Sequence, residues 1–419
     1  MRECRHRIFS CTVMTRQSMS SVLTSITEFL GLKRNVVLLL TVIAGMGLGE
    51  ELWMRFVPKY LEALGAGVWV IGLYDAIKTW LGAIYAYPGG VLTDRWGHRR
   101  ALTFFSLLSI CGYGVVLLIP HWAGVIAASF LFLAWSRFSL PATFSIIGNS
   151  LTANKYAMGI GVQATIKRIP LILGPILGGV LMDHYGLIPG TRTGILLGIC
   201  LAVLAIVFQQ QIRETPRTNQ TTQTLSLFQA LRELNPALRR LLLSDILVRF
   251  CERIPYAWVV IYSMNYIHIS ATEFGVLTGI EMSTAMACFI PMAHLSDKHG
   301  RESFIVTTFV FFTLFPVALL YTRNYSWLML AFVVRGLKEF GEPARKALII
   351  GLSPATNRAQ TVGAYYLIRD SVVTPGSLVG ALLWGISPQV NFLGAALAGA
   401  LGTLYYVVSL RFKDVSSRR

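Results

Sequence analysis

Apolar and polar positions alternate along this chain on a long scale: twelve apolar blocks, separated by short breaks rich in charge, glycine or proline. Windows of about twenty apolar residues fall at 36–61, 68–92, 100–119, 122–150, 156–185 and 190–211. Six more follow at 238–266, 272–296, 303–322, 325–352, 358–386 and 389–410. A helix rises about 1.5 Å per residue, so a block of this length crosses the roughly 30 Å apolar core of a bilayer. The expected fold class is an all-α membrane protein of twelve transmembrane helices. Between the sixth and seventh blocks lies a polar stretch, Ile212 to Asn235, which reads as a linker. The expected organisation is a tail 1–33, a six-helix half 34–211, a linker 212–236, a second half 237–411 and a tail 412–419.

The two halves match at an offset of 202–203 residues. Gly72 pairs with Gly275, Asp94 with Asp297, Gly97 with Gly300, Pro141-Ala142 with Pro343-Ala344, Ala157 with Ala359, and Gly178 with Gly380. Agreement over five helices indicates duplication. Two such repeats facing one another define a pseudo-two-fold axis along the membrane normal, with a central cavity between them.

Composition agrees. The chain is 54% hydrophobic and only 14% charged, too apolar for a soluble domain. The net charge of +17 invites a nucleic-acid reading, but its distribution follows topology. Lys59, Arg192 and Arg323 lie at span ends or in a loop on one side, whereas the tails and the loops on the linker side hold many more. That bias places both termini in the cytoplasm, in a plasma (inner) membrane, and leaves little charge for nucleic acid. Of the six cysteines, four lie inside apolar blocks, and no CxxC or His/Cys spacing appears, so neither disulfide, metal nor cofactor is expected. No signal peptide follows the basic start; residues 20–31 read as a short amphipathic helix, and Met19 is an alternative start. No Walker loop and no nucleophile–base set appears, which argues against an ATP-driven pump or an enzyme. The expected partners are a small-molecule solute, protons and the lipid bilayer, with the chain a monomer.

The charges within the spans carry the functional signal. Mid-bilayer charge is costly unless it faces protein or water. The interiors of spans 3, 6, 9 and 12 are free of charge, so these helices are expected against lipid, with the other eight around a polar cavity. Glu50 and Glu51 lie near the middle of span 1, and their repeat partners Glu252 and Arg253 at the same depth in span 7. Lys167 and Arg168 in span 5 match Arg369 and Asp370 in span 11; Arg137 in span 4 matches Glu339 in span 10, one turn from Arg335. Several of these repeat pairs are opposite in sign, which suggests ion pairs between the halves. These residues, with Tyr365 and Tyr366 one turn before Arg369, are the candidate solute and coupling sites. The competing reading is structural: Arg335–Glu339, Lys338–Glu342, Glu342–Lys346 and Asp245–Arg249 are spaced i,i+4, and Asp75–Lys78 i,i+3, so each pair can satisfy itself along one helix. Adjacent residues point about 100° apart on a helix, so one of Glu50 and Glu51 is expected to face the cavity and the other a neighbouring helix, near Arg168 or Arg369.

After span 2 runs Gly90-Val91-Leu92-Thr93-Asp94-Arg95-Trp96-Gly97-His98-Arg99-Arg100, with an echo, Ala293-His294-Leu295-Ser296-Asp297-Lys298-His299-Gly300-Arg301, after span 8. Loop, echo, spans and linker together resemble the major facilitator superfamily over nearly the whole chain. The departures are His98 where the family usually has Arg, and Ala293 for Gly. The resemblance implies alternating access by rocking of two halves. It also implies that Asp94 helps lock the cytoplasmic side through span 11 and through the basic residue of span 4, here Arg137, although the Gly spacing that usually follows is lacking. In span 5, Gly174-Pro175-Ile176-Leu177-Gly178-Gly179 resembles the hinge of the family's proton-linked drug antiporters, with Pro170 where that motif has a further Gly. The expected function is proton-coupled export of a small organic solute, with Glu50, Glu51 or Asp370 carrying the proton. Uptake or exchange of an anionic metabolite is the second reading, favoured by the basic excess within the spans, and a non-transporting membrane sensor the third.

Overall fold

The computed structural model describes residues 34–150, 156–212, 235–353 and 358–417, and all regular structure among them is helical. The N-terminal tail and most of the linker lie outside the described residues. The twelve predicted spans are all present. Six run as one helix: His98–Leu118, Tyr156–Tyr185, Leu187–Gln210, Ala271–His299, Arg301–Leu320 and Pro388–Ser417, which are spans 3, 5, 6, 8, 9 and 12. Six are interrupted: span 1 (Arg34–Met54, Val57–Ala63), span 2 (Val68–Ile84, Ala86–Trp96), span 4 (Trp122–Phe132, Ala134–Ser150), span 7 (Pro236–Tyr256, Trp258–Asn265), span 10 (Tyr325–Leu337, Glu342–Leu352) and span 11 (Arg358–Val373, Gly376–Ile386). Seven helices, or runs within them, are long and apolar enough by themselves to cross a membrane.

Proline explains five of the six interruptions. A proline has no N–H for the carbonyl four residues earlier. Pro58, Pro88, Pro343 and Pro375 stand at or just beyond such a break, and Pro255 lies two residues before the one at Ala257. Span 4 breaks at Leu133 without one. There Ser109 of span 3 inserts its hydroxyl, donating to the Phe132 carbonyl at 3.1 Å and accepting from the Trp135 N–H at 3.0 Å. The second half repeats the device, with Thr308 of span 9 accepting from the Gly341 N–H at the break in span 10.

Duplication shows in the packing as well. Gly178 of span 5 lies against the Leu52 carbonyl of span 1, and Gly380 of span 11 against the Ile254 carbonyl of span 7. Gly72 lets span 2 approach span 11 at Ser377 and Ala381, and Gly275 lets span 8 approach span 5 at Pro175. Small residues allow such close crossings where no hydrophobic force separates helix from lipid. The loop glycines are explained too: Gly97 and Gly300 end spans 2 and 8 at φ +85° and +90°, a region that side chains other than Gly avoid.

Arg34, Gln210, Pro236 and Ser417 all end helices on one face of the bundle, called here the terminal face. The halves are joined mainly at the opposite, far face. Span 5 packs along span 8, and the outer piece of span 11 along that of span 2. Asp183, at the end of span 5, accepts from the backbone N–H groups of Ala271 and Thr272 at the start of span 8, at 2.9 and 2.8 Å. Glu62 accepts from Asn265, its own repeat counterpart, at 2.9 Å, and Lys59 bridges the same pair. On the terminal face, neither Ala86–Trp96 nor Ala134–Ser150 packs substantially against the other half. The chain is therefore closed at the far face. Leu107, Leu197, Val203, Leu204, Val310, Leu314, Leu397 and Leu404 leave spans 3, 6, 9 and 12 with exposed apolar flanks, as their charge-free interiors predict.

Candidate functional site

A cavity of about 270 Å³ lies within the first half and is capped from the second by Tyr256. Span 1 contributes Glu50, Glu51 and Arg55, span 2 Lys78, span 4 Ser136 and Arg137, and span 5 Gln163 and Lys167. Close helix crossings position these groups. Gly174 lets span 5 come within contact of the Glu51 stem, and Gly47 lies against Pro170. Gly82 makes room for Arg137: a β-carbon there would lie 3.1 Å from Nη1 and 3.3 Å from the guanidinium carbon.

Both Glu50 and Glu51 face this chamber, which corrects the expectation that one would turn to Arg168 or Arg369. The Glu51 carboxylate pairs instead with Arg55, one turn along the same helix, at 3.3 Å. The Arg55 guanidinium reaches on to the Tyr256 hydroxyl at 3.5 Å. Tyr256 is a hub of cations, its ring lying 5.5 Å from Lys78, 5.1 Å from Arg253 and 5.7 Å from Arg335. Neither Tyr256 nor Arg55 was singled out by sequence reasoning, although Tyr256 follows the helix-breaking Pro255 and Arg55 stands one turn beyond Glu51.

The second half is built differently: its charges fill the space rather than line it. Asp245 receives Arg345, Arg249 at 3.7 Å, Arg369 at 3.5 Å and the Tyr365 hydroxyl at 3.0 Å. Glu342 holds Arg345 at 2.6 Å, Arg249 at 3.4 Å and Lys346 at 3.6 Å. Glu252 holds Arg249 at 2.8 Å and Lys338 at 2.9 Å, and Glu281 holds both Lys338 and Arg335 at 3.2 Å. Arg369 pairs with its neighbour Asp370 at 2.7 Å and lies over the Tyr366 ring at 4.7 Å. Glu252, Arg335, Tyr365, Tyr366, Arg369 and Asp370 thus belong to a lattice joining spans 7, 8, 10 and 11, outside the main chamber.

That lattice revises the pairing expected from spacing. Asp245–Arg249 and Glu342–Lys346 form, but Arg335–Glu339 and Lys338–Glu342 do not, because span 10 is not continuous helix between Leu337 and Glu342. Asp75 and Lys78 also part: Asp75 accepts from Ser377 of span 11 at 2.6 Å, while Lys78 turns to Tyr256. None of the repeat pairs of opposite sign, Glu51–Arg253, Arg168–Asp370 and Arg137–Glu339, forms an ion pair among the described residues; between the halves Arg168 meets Glu339 instead, at 3.9 Å, and lies 5.0 Å from the Phe289 ring. Arg137, assigned by resemblance to a lock with Asp94, sits against Gly82, twelve residues and roughly 18 Å of helix away.

In the signature loops, Arg95 and Lys298 are exposed and Arg99 half-buried, and Arg301 donates to the Ala347 carbonyl of span 10 at 3.5 Å. Gly90 lies within the helix Ala86–Trp96. The Asp94 and Asp297 side chains lie outside what the structure describes. Gly174, Pro175, Gly178 and Gly179 all stand inside the unbroken helix of span 5, Gly179 against Ala271 of span 8.

The sequence profile of the Major Facilitator Superfamily matches residues 37–264 and 241–419. The chain belongs to this family. An uncharacterized MFS-type transporter of Methanocaldococcus jannaschii is 22% identical over 383 residues, covering 89% of this chain and 94% of the relative. The multidrug resistance protein MdtG of Escherichia coli is 22% identical over 399 residues, covering 90% and 93%. Among solved structures, the nucleoside transporter NupG superposes with a TM-score of 0.74 at 12% identity, over 89% of this chain and 99% of its own, which is a likeness of fold. This superfamily member is therefore a multi-pass membrane transporter of twelve helices in two repeats.

Proposed function

We propose that this chain is a proton-coupled secondary active transporter that moves a small organic solute by alternating access. The observation that carries the proposal is the chamber itself. It lies at mid-depth, closed toward the far face, and presents two carboxylates, Glu50 and Glu51, to the space a solute would fill. The volume, about 270 Å³, suits a small molecule and not a peptide or lipid. Intramembrane ionisable groups around such a space mark substrate and proton pathways by default. Asp370 is a weaker candidate for the proton, being tied to Arg369 away from the chamber.

In this reading the terminal face is cytoplasmic, as the distribution of Lys and Arg favours, so the state described faces inward. Asp94 and its loop lock that face when the halves rock the other way, and span 5 flexes at Gly174-Pro175. The chain works as a monomer in the plasma membrane. Drug export, which the relation to MdtG favours, requires a solute that competes with the proton; an anion would travel with it. The test is reconstitution into proteoliposomes with a solute panel, with and without an imposed pH gradient. Uphill movement that collapses with a protonophore supports the proposal; equilibration alone, indifferent to the gradient, refutes it.

A further inference from the structure

We propose that the chamber binds a small organic anion, its carboxylate or phosphate held by Arg137 in the seat provided by Gly82, together with Lys78 and Lys167. The inference rests on the transporter reading above and adds the sign of the solute. Four cations line the chamber, Arg55, Lys78, Arg137 and Lys167, against two carboxylates. One cation is matched, since Arg55 pairs with Glu51 at 3.3 Å. Among the described residues, Lys78, Arg137 and Lys167 have no carboxylate within 4.0 Å. The buried Nε of Arg137 has no hydrogen-bond partner either.

The second half neutralises most such charges, Arg253 over the Tyr256 ring being the exception among the described residues. Arg249, Arg335, Lys338, Arg345 and Arg369 each have a carboxylate within 3.2 Å. The chamber's unpaired cations, Lys167 exposed and Lys78 and Arg137 half-buried, concentrate positive charge around one space, so an anion entering it is favoured and a cation is opposed. The chemistry of the set is selective as well. A guanidinium offers a planar fork to two oxygens at once, and ammonium groups add point charge without geometric demand. Gly82 is a positioning residue in this scheme, because a β-carbon there crowds the guanidinium at 3.1–3.3 Å and obliges it to shift by a few tenths of an ångström.

The experiment uses the full-length purified protein with succinate, glycerol 3-phosphate and tetraphenylphosphonium as probes. Melting temperature reports binding and counterflow in proteoliposomes reports exchange. At least one anion should stabilise and exchange, with the two anions separating carboxylate from phosphate recognition, and tetraphenylphosphonium should do neither. Arg137→Gln should weaken anion affinity roughly 10- to 100-fold, the size expected for lost charge-assisted hydrogen bonds, with partial recovery in Arg137→Lys. Gly82→Ala should weaken affinity in the unmodified protein but add nothing in the Arg137→Gln background, which a general packing defect would not reproduce. Inactivity of both anions, transport of tetraphenylphosphonium in their place, or unchanged affinity in Arg137→Gln overturns the inference. Anion exchange without response to a pH gradient would leave it standing and overturn proton coupling; gradient-driven transport of the cation alone would do the reverse.

Discussion

Glu50 and Glu51 share one wall of the chamber but differ in what holds them. Glu51 is tied to Arg55, whereas Glu50 forms no ion pair within 4.0 Å among the described residues. A carboxylate that alternates between charged and neutral must not be committed to a fixed cation, so under the proposed coupling Glu50 is the better candidate to carry the proton. Replacing each by Gln removes the charge and keeps the shape. Glu50→Gln should retain solute exchange and lose uphill transport driven by a pH gradient, while Glu51→Gln and Asp370→Asn should retain both; proteoliposome uptake with and without the gradient separates these outcomes. Uphill transport intact in Glu50→Gln would place coupling elsewhere. Asp245 poses the opposite case, fully buried with Arg345, Arg249, Arg369 and Tyr365 around it. Asp245→Asn removes one of the carboxylates shared by Arg345, Arg249 and Arg369, which keep Glu342, Glu252 and Asp370, and should cost about 1–3 kcal/mol, read as a drop in melting temperature. Sequence reasoning located the charged residues within the spans and two of their pairs, Asp245–Arg249 and Glu342–Lys346, but not the rest of their partners. It placed Glu50, Glu51, Arg137 and Lys167 in a polar cavity because mid-membrane charge has few alternatives. It could not foresee that Lys338 abandons Glu342 for Glu252 and Glu281, since pairing depends on where span 10 breaks.

Helix interruptions are the elements that turn twelve rods into a site. The blocks themselves were legible, as were the repeat and the turns at Gly97 and Gly300, because each rests on local periodicity or on one residue's backbone freedom. Prolines at 58, 88, 255, 343 and 375 mark five interruptions, yet Pro170, Pro175, Pro291 and Pro316 lie inside unbroken helices, so proline alone does not decide. The interruption at Leu133 was not legible at all, since it depends on a hydroxyl from another helix. Ser109→Ala removes both the donor to Phe132 and the acceptor for Trp135 and should destabilise the first half by about 1–3 kcal/mol. Thermal unfolding should show that loss, with Ser109→Thr, which keeps the hydroxyl, recovering part of it. A melting temperature unchanged in Ser109→Ala would mean that the break holds without the inserted group. The break matters to the site because Arg137 stands one turn beyond it, so anion affinity should fall along with stability.

At the scale of the whole molecule, the far face is closed by identifiable contacts, and in the proposed alternating-access cycle their strength against those of the terminal face sets which way the chamber opens. The far face is held by Asp183, which accepts from two backbone N–H groups at the start of span 8, and by Lys59, Glu62 and Asn265 near the pseudo-two-fold axis. A carboxylate at a helix N-terminus is favoured by the partial positive charge there and by charge-assisted hydrogen bonds. An asparagine keeps one acceptor oxygen and loses the charge. Asp183→Asn should therefore weaken the far-face closure by about 1 kcal/mol and shift the population toward a form open at the far face. Asp94 is expected to serve the equivalent purpose at the terminal face in the other state, so Asp94→Asn should shift the population the opposite way. Each shift is measurable with single cysteines introduced at the two faces of a cysteine-free background and labelled by a membrane-impermeant maleimide. Asp183→Asn should raise labelling at a far-face position such as Thr272→Cys and lower it within the chamber from the terminal side; Asp94→Asn should do the reverse. The double variant should return close to the unmodified pattern, because two weakened closures cancel in a two-state equilibrium. Shifts of the same sign in both single variants would mean that the two aspartates stabilise the bundle in common rather than opposing states of it, and would remove the lock assigned to Asp94.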